Sequence, residues 1–330
     1  MNKMLSRVAE SIYWMNRNIE RTGNIARFID VNFRLMLDLP AGTAVQWDAL
    51  VRITGDYPAF IERYKAATRD TVIQFLSFDR ENPNSIISCI RAARENARTV
   101  REIISSEMWE QVNRLYLSVT EAANRRLESP EEFFTEIKLA TQLYTGLAHT
   151  TMSHGQAWQF ARLGRMIERA DQTSRTLDVK YFILLPSLED VGTPIDEIQW
   201  NAVLGSASAL EAYRQKHGRV SPNCVVEFLV LDREFPRSIH FCLTQADQSL
   251  HAISRTPSDT FSNAVERRIG QLRAELDYTS VGDIMAGGLH QYLGAFQAKL
   301  NAVGCAIHET FFDLGPVGTG TSSHTRSQRR

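Results

Sequence analysis

Two glutamate–arginine elements contain the side chains of this sequence that are best suited to chemistry. The first spans residues 17–27 and the second residues 165–175, and each places three arginines, one glutamate and one amide at helical spacings of three and four. Guanidinium groups bind carboxylates and phosphates through paired hydrogen bonds, and a glutamate can orient them or transfer a proton. The candidate ligand-binding residues are Arg17, Glu20, Arg21, Asn24, Arg27, Arg165, Glu168, Arg169, Gln172 and Arg175.

Three interpretations of these elements stay open from the sequence. Charges at such spacings are common on solvated helix faces. The two helices could instead pack together, adjacent and antiparallel or crossed, with Glu20 and Glu168 paired to arginines in an internal ion network. The excess of arginine over glutamate, three to one in each element, keeps a third interpretation open, which is an interior site for an anionic ligand.

The two elements belong to a longer internal repeat. Residues 11–31 align with residues 159–179 with seven identities in 21 positions, and five of the seven shared residues are charged. Residues 72–89 align with residues 225–242 with ten identities in 18 positions. A period this long is not that of a solenoid. The repeat therefore predicts a tandem duplication that gave two pseudo-equivalent helical halves.

The domain organisation follows from this repeat. We expect a first helical half at residues 1–150 and a second at residues 151–314, which share one core. Residues 315–330 are rich in Gly, Ser, Thr and Arg, a composition typical of a disordered tail.

The elements that must position these residues are helices. No glycine occurs between Gly55 and Gly146, and residues that favour helix fill the interval. The alternation of apolar and polar residues that marks strands is hard to find in any part of the chain. The sequence predicts an all-α helical bundle, with helices near residues 6–37, 84–127 (with a bend near Ser105-Ser106), 131–151, 156–185, 259–278 and 283–312 and a broken helical segment over residues 46–78.

Two further polar features recur or diverge between the aligned segments. Asp79-Arg80 and Asp232-Arg233 are predicted as structural turns whose carboxylates bind free backbone amides at the next helix start, with Pro83 in the first turn of that helix. A contact with a partner or ligand is the alternative for these turns.

An arginine row in the first segment has no counterpart in residues 244–254, so it marks either an interface or a solvated face with intrahelical ion pairs: Arg91, Arg94, Arg98 and Arg101.

Composition excludes several classes of function. The net charge is −1, which gives no overall field for nucleic acid or a membrane surface. The first residues lack the apolar run of a signal peptide, and no stretch approaches the roughly 20 apolar residues of a membrane span. The four cysteines and the absence of P-loop, GxGxxG, HExxH and GxSxG motifs predict no metal and no cofactor. We expect a cytoplasmic protein; a homo-oligomer is compatible with the sequence.

The sequence also resembles a known family, the bacterial alpha-E domains, from about Met1 to Phe312. The residues that carry the resemblance are Leu5-Ser6-Arg7, Glu10, Tyr13-Trp14, Glu20-Arg21, Phe75-Leu76 before the turn at residues 79–83, Ala93 to Arg98, Arg101-Glu102 and Trp109. The resemblance implies an all-helical domain encoded beside, or fused to, circularly permuted ATP-grasp proteins and transglutaminase-like thiol peptidases.

Two hypotheses about function follow. In the first, the chain is a non-catalytic or accessory helical protein that acts with an ATP-grasp-type ligase or transglutaminase-like protein and binds an anionic ligand or peptide at the paired Glu-Arg cluster. In the second, it is an enzyme of such a pathway, in which Glu20 and Glu168 perform acid/base chemistry on an anionic substrate that the arginines hold. The sequence favours the first, because no nucleophile or metal set accompanies the cluster.

Overall fold

The computed structural model describes residues 4–38, 47–125, 127, 129–183 and 193–313. Within these residues the regular elements are all helical, which confirms the predicted all-α class. The tail predicted at residues 315–330 lies outside the described residues. The helices are α1 Ser6–Asp38, α2 Asp48–Thr54, α3 Tyr57–Tyr64, α4 Arg69–Ile73, α5 Ile86–Thr99, α6 Ser106–Ala123, α7 Pro130–Thr151, α8 Gln156–Ile183, α9 Pro194–Ser206, α10 Leu210–His217, α11 Pro222–Val230, α12 Ile239–Ser254, α13 Ala264–Asp277, α14 Val281–Gly287 and α15 Leu289–Ile307.

Helices α1 and α8 form the centre of the structure and carry the two Glu-Arg elements. They run side by side in the same direction rather than antiparallel: the amide of Met4 donates to Gln156 Oε1 at 3.1 Å, and Gly164 packs against Tyr13. A Cβ on Gly164 would lie 2.4 Å from the carbonyl oxygen of Tyr13, so only glycine permits this close approach.

The surrounding helices cover both central helices on most sides. Helices α5 and α7 pack on α1, while α12 and α15 pack on α8. Helix α9 crosses over to α1, and α2 crosses over to α8. Because the central helices are covered in this way, the Glu-Arg faces lie in the interior, and one continuous hydrophobic core surrounds them.

Several helix boundaries differ from the sequence prediction. The helix predicted over residues 259–278 begins at Ala264, and the one predicted over residues 283–312 is divided into α14 and α15 at Gly288. The single helix predicted over residues 84–127 is two helices, because α5 ends at Thr99 and Ser105 caps α6 by accepting from the amide of Met108 at 3.2 Å. Helix α5 begins at Ile86 rather than beside Pro83, because Ser85 is its N-cap. The hydroxyl of a serine at the N-cap accepts a hydrogen bond from a free backbone amide of the first turn. The serine therefore sets the residue at which the helix begins.

Candidate functional site

The central ion pairs join α1 to α8. Arg21 donates from Nε to Oε1 of Glu168 at 2.6 Å and from Nη2 to Oε2 at 2.9 Å. Arg169 donates in the same fork geometry to Glu20, at 2.9 and 3.0 Å. Each arginine therefore binds the glutamate of the other helix, and the paired hydrogen bonds fix the two helices in register.

Both glutamates lie away from solvent, so the Glu-Arg elements are not solvated faces. The side chain of Glu168 is 0% exposed and that of Glu20 is 6% exposed. Burial opposes ionisation of Glu168, but Arg21 and Arg17 outweigh it and lower the pKa of this carboxyl to about 2. At Glu20, the guanidinium of Arg169 likewise overcomes burial and holds the pKa of the carboxyl well below its usual range.

Around Glu168, the arginines have acidic partners. Arg17 donates from Nε to Oε2 of Glu168 at 2.9 Å, and the amide of Gln172 donates to Oε1 at 3.3 Å. One turn further along α8, Arg175 donates to Asp171 Oδ2 at 2.8 Å. Asp171 also acts electrostatically on Arg17, so both ion pairs belong to one cluster.

An amide connects this cluster to a further carboxylate. Arg21 Nη1 donates to Oδ1 of Asn84 at 2.6 Å, and Nδ2 of Asn84 lies 3.1 Å from both oxygens of Asp56. We refer to the whole set as the Glu168 half-site; its members are Arg17, Arg21, Asp56, Asn84, Glu168, Asp171, Gln172 and Arg175.

Around Glu20, arginine is in excess. Arg237 Nη1 donates to Glu20 Oε1 and to Asn24 Oδ1, both at 3.0 Å. Arg27 Nη1 donates to the same oxygen of Asn24 at 2.8 Å, so two guanidiniums share one amide oxygen. Burial and then Arg237 lower the pKa of Arg27 well below its usual range. Among the described residues, no carboxylate oxygen lies within 4 Å of the Arg27 guanidinium.

Arg165 is a second buried guanidinium that lacks a carboxylate partner in the described part of the chain. Only 7% of the residue is exposed, and its Nε and Nη1 atoms make no hydrogen bond. Burial and then Arg169 lower its pKa to about 10. Together with the amide Nδ2 of Asn24, which is also buried without a partner, these donors belong to the Glu20 half-site: Glu20, Asn24, Arg27, Arg165, Arg169 and Arg237.

The two half-sites differ in charge at aligned positions. Asp171 aligns with Gly23, Asp56 with Ala209, and Asn84 with Arg237. The Glu168 half-site therefore contains as many carboxylates as guanidiniums, three of each: Asp56, Glu168 and Asp171 against Arg17, Arg21 and Arg175. The Glu20 half-site has one carboxylate and an excess of three positive charges, Glu20 against Arg27, Arg165, Arg169 and Arg237. The nearby Asp30 also acts on Arg27, but it is paired with Lys138 and Arg34.

The ten residues predicted on the central helices all belong to the two half-sites, but four further members were not predicted from the sequence. Asp171 lies on α8, Arg237 and Asn84 precede α12 and α5, and Asp56 precedes α3. A signal for them was present in the alignment of the two segments, because each of the four differs in charge from the residue aligned with it.

The carboxylates of the predicted structural turns accept hydrogen bonds from backbone amides within the turns. The sequence interpretation placed these bonds at the starts of the following helices, and the structure corrects it. Asp79 Oδ1 accepts from the amide of Glu81 at 2.9 Å, and Asp232 Oδ1 accepts from the amides of Glu234 and Phe235 at 2.8 and 2.7 Å. The caps of α5 and α12 are serines. The neighbouring arginines make different contacts. The backbone carbonyl of Arg80 accepts a hydrogen bond from Ser88 Oγ, whereas the side chain of Arg233 donates to Asp277 Oδ1 at 2.7 Å.

The arginine row does not form one helical face, because Arg101 lies beyond the end of α5. The guanidiniums of Arg94 and Arg101 lie over the ring of Trp109, at 5.7 and 4.8 Å from its centroid. Arg98 pairs with Glu95 at 2.8 Å and is exposed, as is Arg91. The row is thus partly an aromatic-stacked cluster and partly a solvated surface.

The described residues contain no group of three or more His, Cys, Asp or Glu arranged to hold a metal ion. None of the described helices combines the length and apolar character that crossing a bilayer requires.

Comparisons with known proteins identify a family. A family model named Alpha-E, described as a predicted alpha-helical domain with a conserved ER motif, matches residues 4–312 and confirms the resemblance found in the sequence. Uncharacterised proteins of Mycobacterium bovis and Mycobacterium tuberculosis are each 24% identical over 345 aligned residues, which cover 96% of this chain and 36% of the relative. The chain thus spans about a third of the length of these relatives. No solved structure matches it.

Proposed function

Since the chain belongs to the Alpha-E family of alpha-helical domains with a conserved ER motif, we propose that its paired Glu-Arg elements frame a non-catalytic anion-binding site. The observation that carries this proposal is the buried Arg27 guanidinium. It hydrogen-bonds Asn24, lies beside Arg237, and has no carboxylate within 4 Å among the described residues. The ligand supplies the negative charge that the Glu20 half-site lacks.

The free energy of burying charge favours an anion-binding site over a purely structural ion network. A buried charge without a counter-charge is costly, whereas a fully paired network breaks even at best. The Glu168 half-site satisfies its arginines with its own carboxylates, but the Glu20 half-site does not. Two guanidiniums that meet at one amide oxygen, as Arg27 and Arg237 do at Asn24, are suited to binding a carboxylate or a phosphate.

The same geometry argues against acid/base catalysis by the glutamates. A general acid or base works best with a pKa near the operating pH. Glu168 has a pKa of about 2, and that of Glu20 is held well below its usual range. Both carboxylates also accept forked guanidinium bonds, so neither is placed to exchange protons with a substrate. Their role in this proposal is to orient Arg21 and Arg169.

The tandem duplication forms part of this proposal. The reciprocal pairing of Arg21 with Glu168 and of Arg169 with Glu20 supports it, as does the matching crossover of α2 and α9. In this view an ancestral half carried one Glu-Arg element. The charge differences between the half-sites then arose as one of them specialised in ligand binding.

We further propose that the domain acts beside an ATP-grasp-type ligase or transglutaminase-like protein. The greater length of the mycobacterial relatives is compatible with such a domain joined to other domains. The exposed Arg91 and Arg98 give the contact surface. Co-expression with the ligase should yield a co-purifying complex, and changing both arginines to glutamate should abolish it. A complex that survives this change contradicts the assigned surface.

The anion site is tested by thermal unfolding with inorganic phosphate or acetate. A ligand at a hundred times its Kd adds about 2.7 kcal/mol of stability, so we expect the wild-type Tm to rise with anion concentration. Arg27→Met should abolish this rise. It should also leave the Tm without anion unchanged or higher, because it removes a buried charge that has no carboxylate partner.

Arg175→Met is the matched control, because Arg175 aligns with Arg27 but has its own carboxylate, Asp171, at 2.8 Å. This variant should have a lower Tm without anion and an undiminished response to phosphate. An equal response in Arg27→Met and the wild type, or no response in either, contradicts the proposed function.

A further inference from the structure

The connection between α12 and α13, residues 255–263, is fixed by hydrogen bonds at both of its ends. We call it the α12–α13 loop. At its start, Nδ1 of His251 donates to the carbonyl oxygen of Thr256 at 3.2 Å, and the amide of Thr256 donates to the carbonyl of His251 at 3.1 Å. At its end, the amide of Ser262 donates to Oε2 of Glu266 at 2.6 Å. The hydroxyls of Thr256 and Ser262 also bond at 2.8 Å, so the two ends of the loop are joined.

His251 lies between this loop and a buried carboxylate. Its Nε2 is 3.4 Å from Oδ1 of Asp247, a residue that is only 2% exposed. Oδ2 of Asp247 is paired with Nη1 of Arg273 at 3.0 Å, whereas its Oδ1 accepts no regular hydrogen bond from the described residues. Each ring nitrogen of His251 therefore faces an acceptor, a backbone carbonyl on one side and a carboxylate on the other.

The charges around His251 come from the helices that pack on α12. Helix α13 contributes Glu266 and Arg273, and Arg162 of α8 contacts α12 by donating to one of its glutamines. The charges that act most on Asp247 are those of Arg273, His251 and Glu266. Burial raises the pKa of the Asp247 carboxyl, against the effect of Arg273. A second donor for this carboxylate is therefore favourable, and His251 is the group in place to supply it.

The number of protons on the imidazole decides which contacts it can make. An imidazolium has two N–H donors and can bind Thr256 and Asp247 together, whereas a neutral ring has one donor and turns a lone pair towards the other acceptor. A buried carboxylate without a donor costs more than a carbonyl that water can reach. Thr256 is partly exposed and Asp247 is buried, so a neutral His251 keeps Asp247 and loses Thr256.

The loop also begins with an unfavourable backbone conformation. Arg255 has a φ of 60°, in the left-handed region that residues other than glycine adopt at a cost in free energy. The bonds at Thr256 offset this cost while the loop is closed. Arg255 and Ser254 line a cavity of about 380 Å³ with Met4, Gln156 and other residues at the starts of α1 and α8. Movement of the loop therefore changes the wall of this cavity.

We propose that His251 is a pH-dependent latch, which closes the α12–α13 loop when its imidazole is protonated and releases the Thr256 end when the imidazole is neutral. Histidine changes charge between about pH 5 and pH 8. The contribution of the latch to loop closure is thus complete at the acidic end of this range and is lost as the pH rises. No member of the two half-sites takes part, so the latch is independent of the anion site.

Hydrogen exchange at the Thr256 amide, corrected for the intrinsic effect of pH, tests the latch. We expect protection in the wild type to fall about tenfold between about pH 5.5 and about pH 8, because one hydrogen bond is lost. His251→Gln should give low protection at both pH values, since its amide has no donor on the side of Thr256. His240→Gln is the matched control. His240 is also a buried histidine of α12, bound to Asp277 at 2.9 Å, and this variant should keep the wild-type pH dependence.

A second variant should act in the opposite direction. In Asp247→Asn, the side-chain amide can donate to Nε2 of a neutral His251, which then keeps its proton on Nδ1 for Thr256. Protection of the Thr256 amide should therefore stay high at both pH values. Equal protection at the two pH values in the wild type overturns the latch, as does a wild-type fall in protection in Asp247→Asn. Loss of the pH dependence in His240→Gln would show that α12 as a whole responds to pH, and it overturns the role of His251.

Discussion

Arg17 and Arg165 occupy aligned positions on α1 and α8, but of the two only Arg17 binds a carboxylate among the described residues. Its Nε lies 2.9 Å from Oε2 of Glu168, whereas Nε and Nη1 of Arg165 are buried without a hydrogen-bond partner. Two arginines in equivalent places thus experience opposite electrostatics. The difference allows each to serve as the control for the other.

Replacing the two arginines singly with methionine should give unequal losses of stability. Arg17→Met removes a charged hydrogen bond to buried Glu168 and should cost about 2 kcal/mol. Arg165→Met removes a buried charge without a described acidic partner and should cost less than about 1 kcal/mol, or stabilise the protein. Urea unfolding measures both. Similar losses in the two variants would show that the half-sites are electrostatically alike.

Arg21→Met should destabilise the protein by about 3–5 kcal/mol, because it breaks a buried ion pair and leaves Glu168 with less positive charge around it. Adding Glu168→Gln to this variant should recover much of the loss. Adding Glu20→Gln should not, since Glu20 binds Arg169 and Arg237 instead. Urea unfolding of the two double variants checks the cross-helix pairing, and rescue by Glu20→Gln alone would contradict it.

Stability should fall in acid as Glu168 becomes protonated. Its pKa is lowered from 4.5 to about 2 in the folded state. The contribution of the ionised carboxylate is therefore complete above pH 4.5 and is lost as the pH falls towards 2. A tenfold change in an ionisation constant is worth about 1.4 kcal/mol, so this one group accounts for about 3 kcal/mol.

Urea unfolding across this acidic range measures the effect. The variant with Arg21→Met and Glu168→Gln has no carboxylate at position 168 and should lose less stability on acidification. If its slope against pH equals that of the wild type, the carboxyl of Glu168 has an ordinary pKa in the fold.

Gly164→Ala should separate the central helices and cost about 1–3 kcal/mol, because its Cβ would lie 2.4 Å from the carbonyl oxygen of Tyr13. Gly146→Ala in α7 is the control. A Cβ there meets nothing within 4 Å, so the better helix propensity of alanine should raise stability by up to about 1 kcal/mol. Thermal unfolding of both variants is the measurement. Equal behaviour would contradict the close contact of α1 and α8.

The helical elements were largely predictable because helix formation depends on local composition and on the spacing of apolar residues. The first helix was predicted over residues 6–37 and is observed at Ser6–Asp38. The errors fell where short-range capping decides. Ser85 delays the start of the helix predicted from residue 84, and a break capped by Ser105 replaces the bend predicted near Ser105-Ser106. A capping serine binds only the amides of the first helical turn. The spacing of apolar residues along the chain therefore does not reveal it.

The sequence alone determined the helical class and which polar residues, such as Glu20 and Arg169, merited attention, because residue types and their spacing along one helix are local properties. Only the tertiary structure decided that Glu20 binds Arg169 and not its neighbour Arg21. It also brought Arg237 beside Arg27, although 210 positions separate them in the chain. The charge excess of the Glu20 half-site depends on which elements pack against α1, because Coulomb interactions follow distance in space and not distance in sequence.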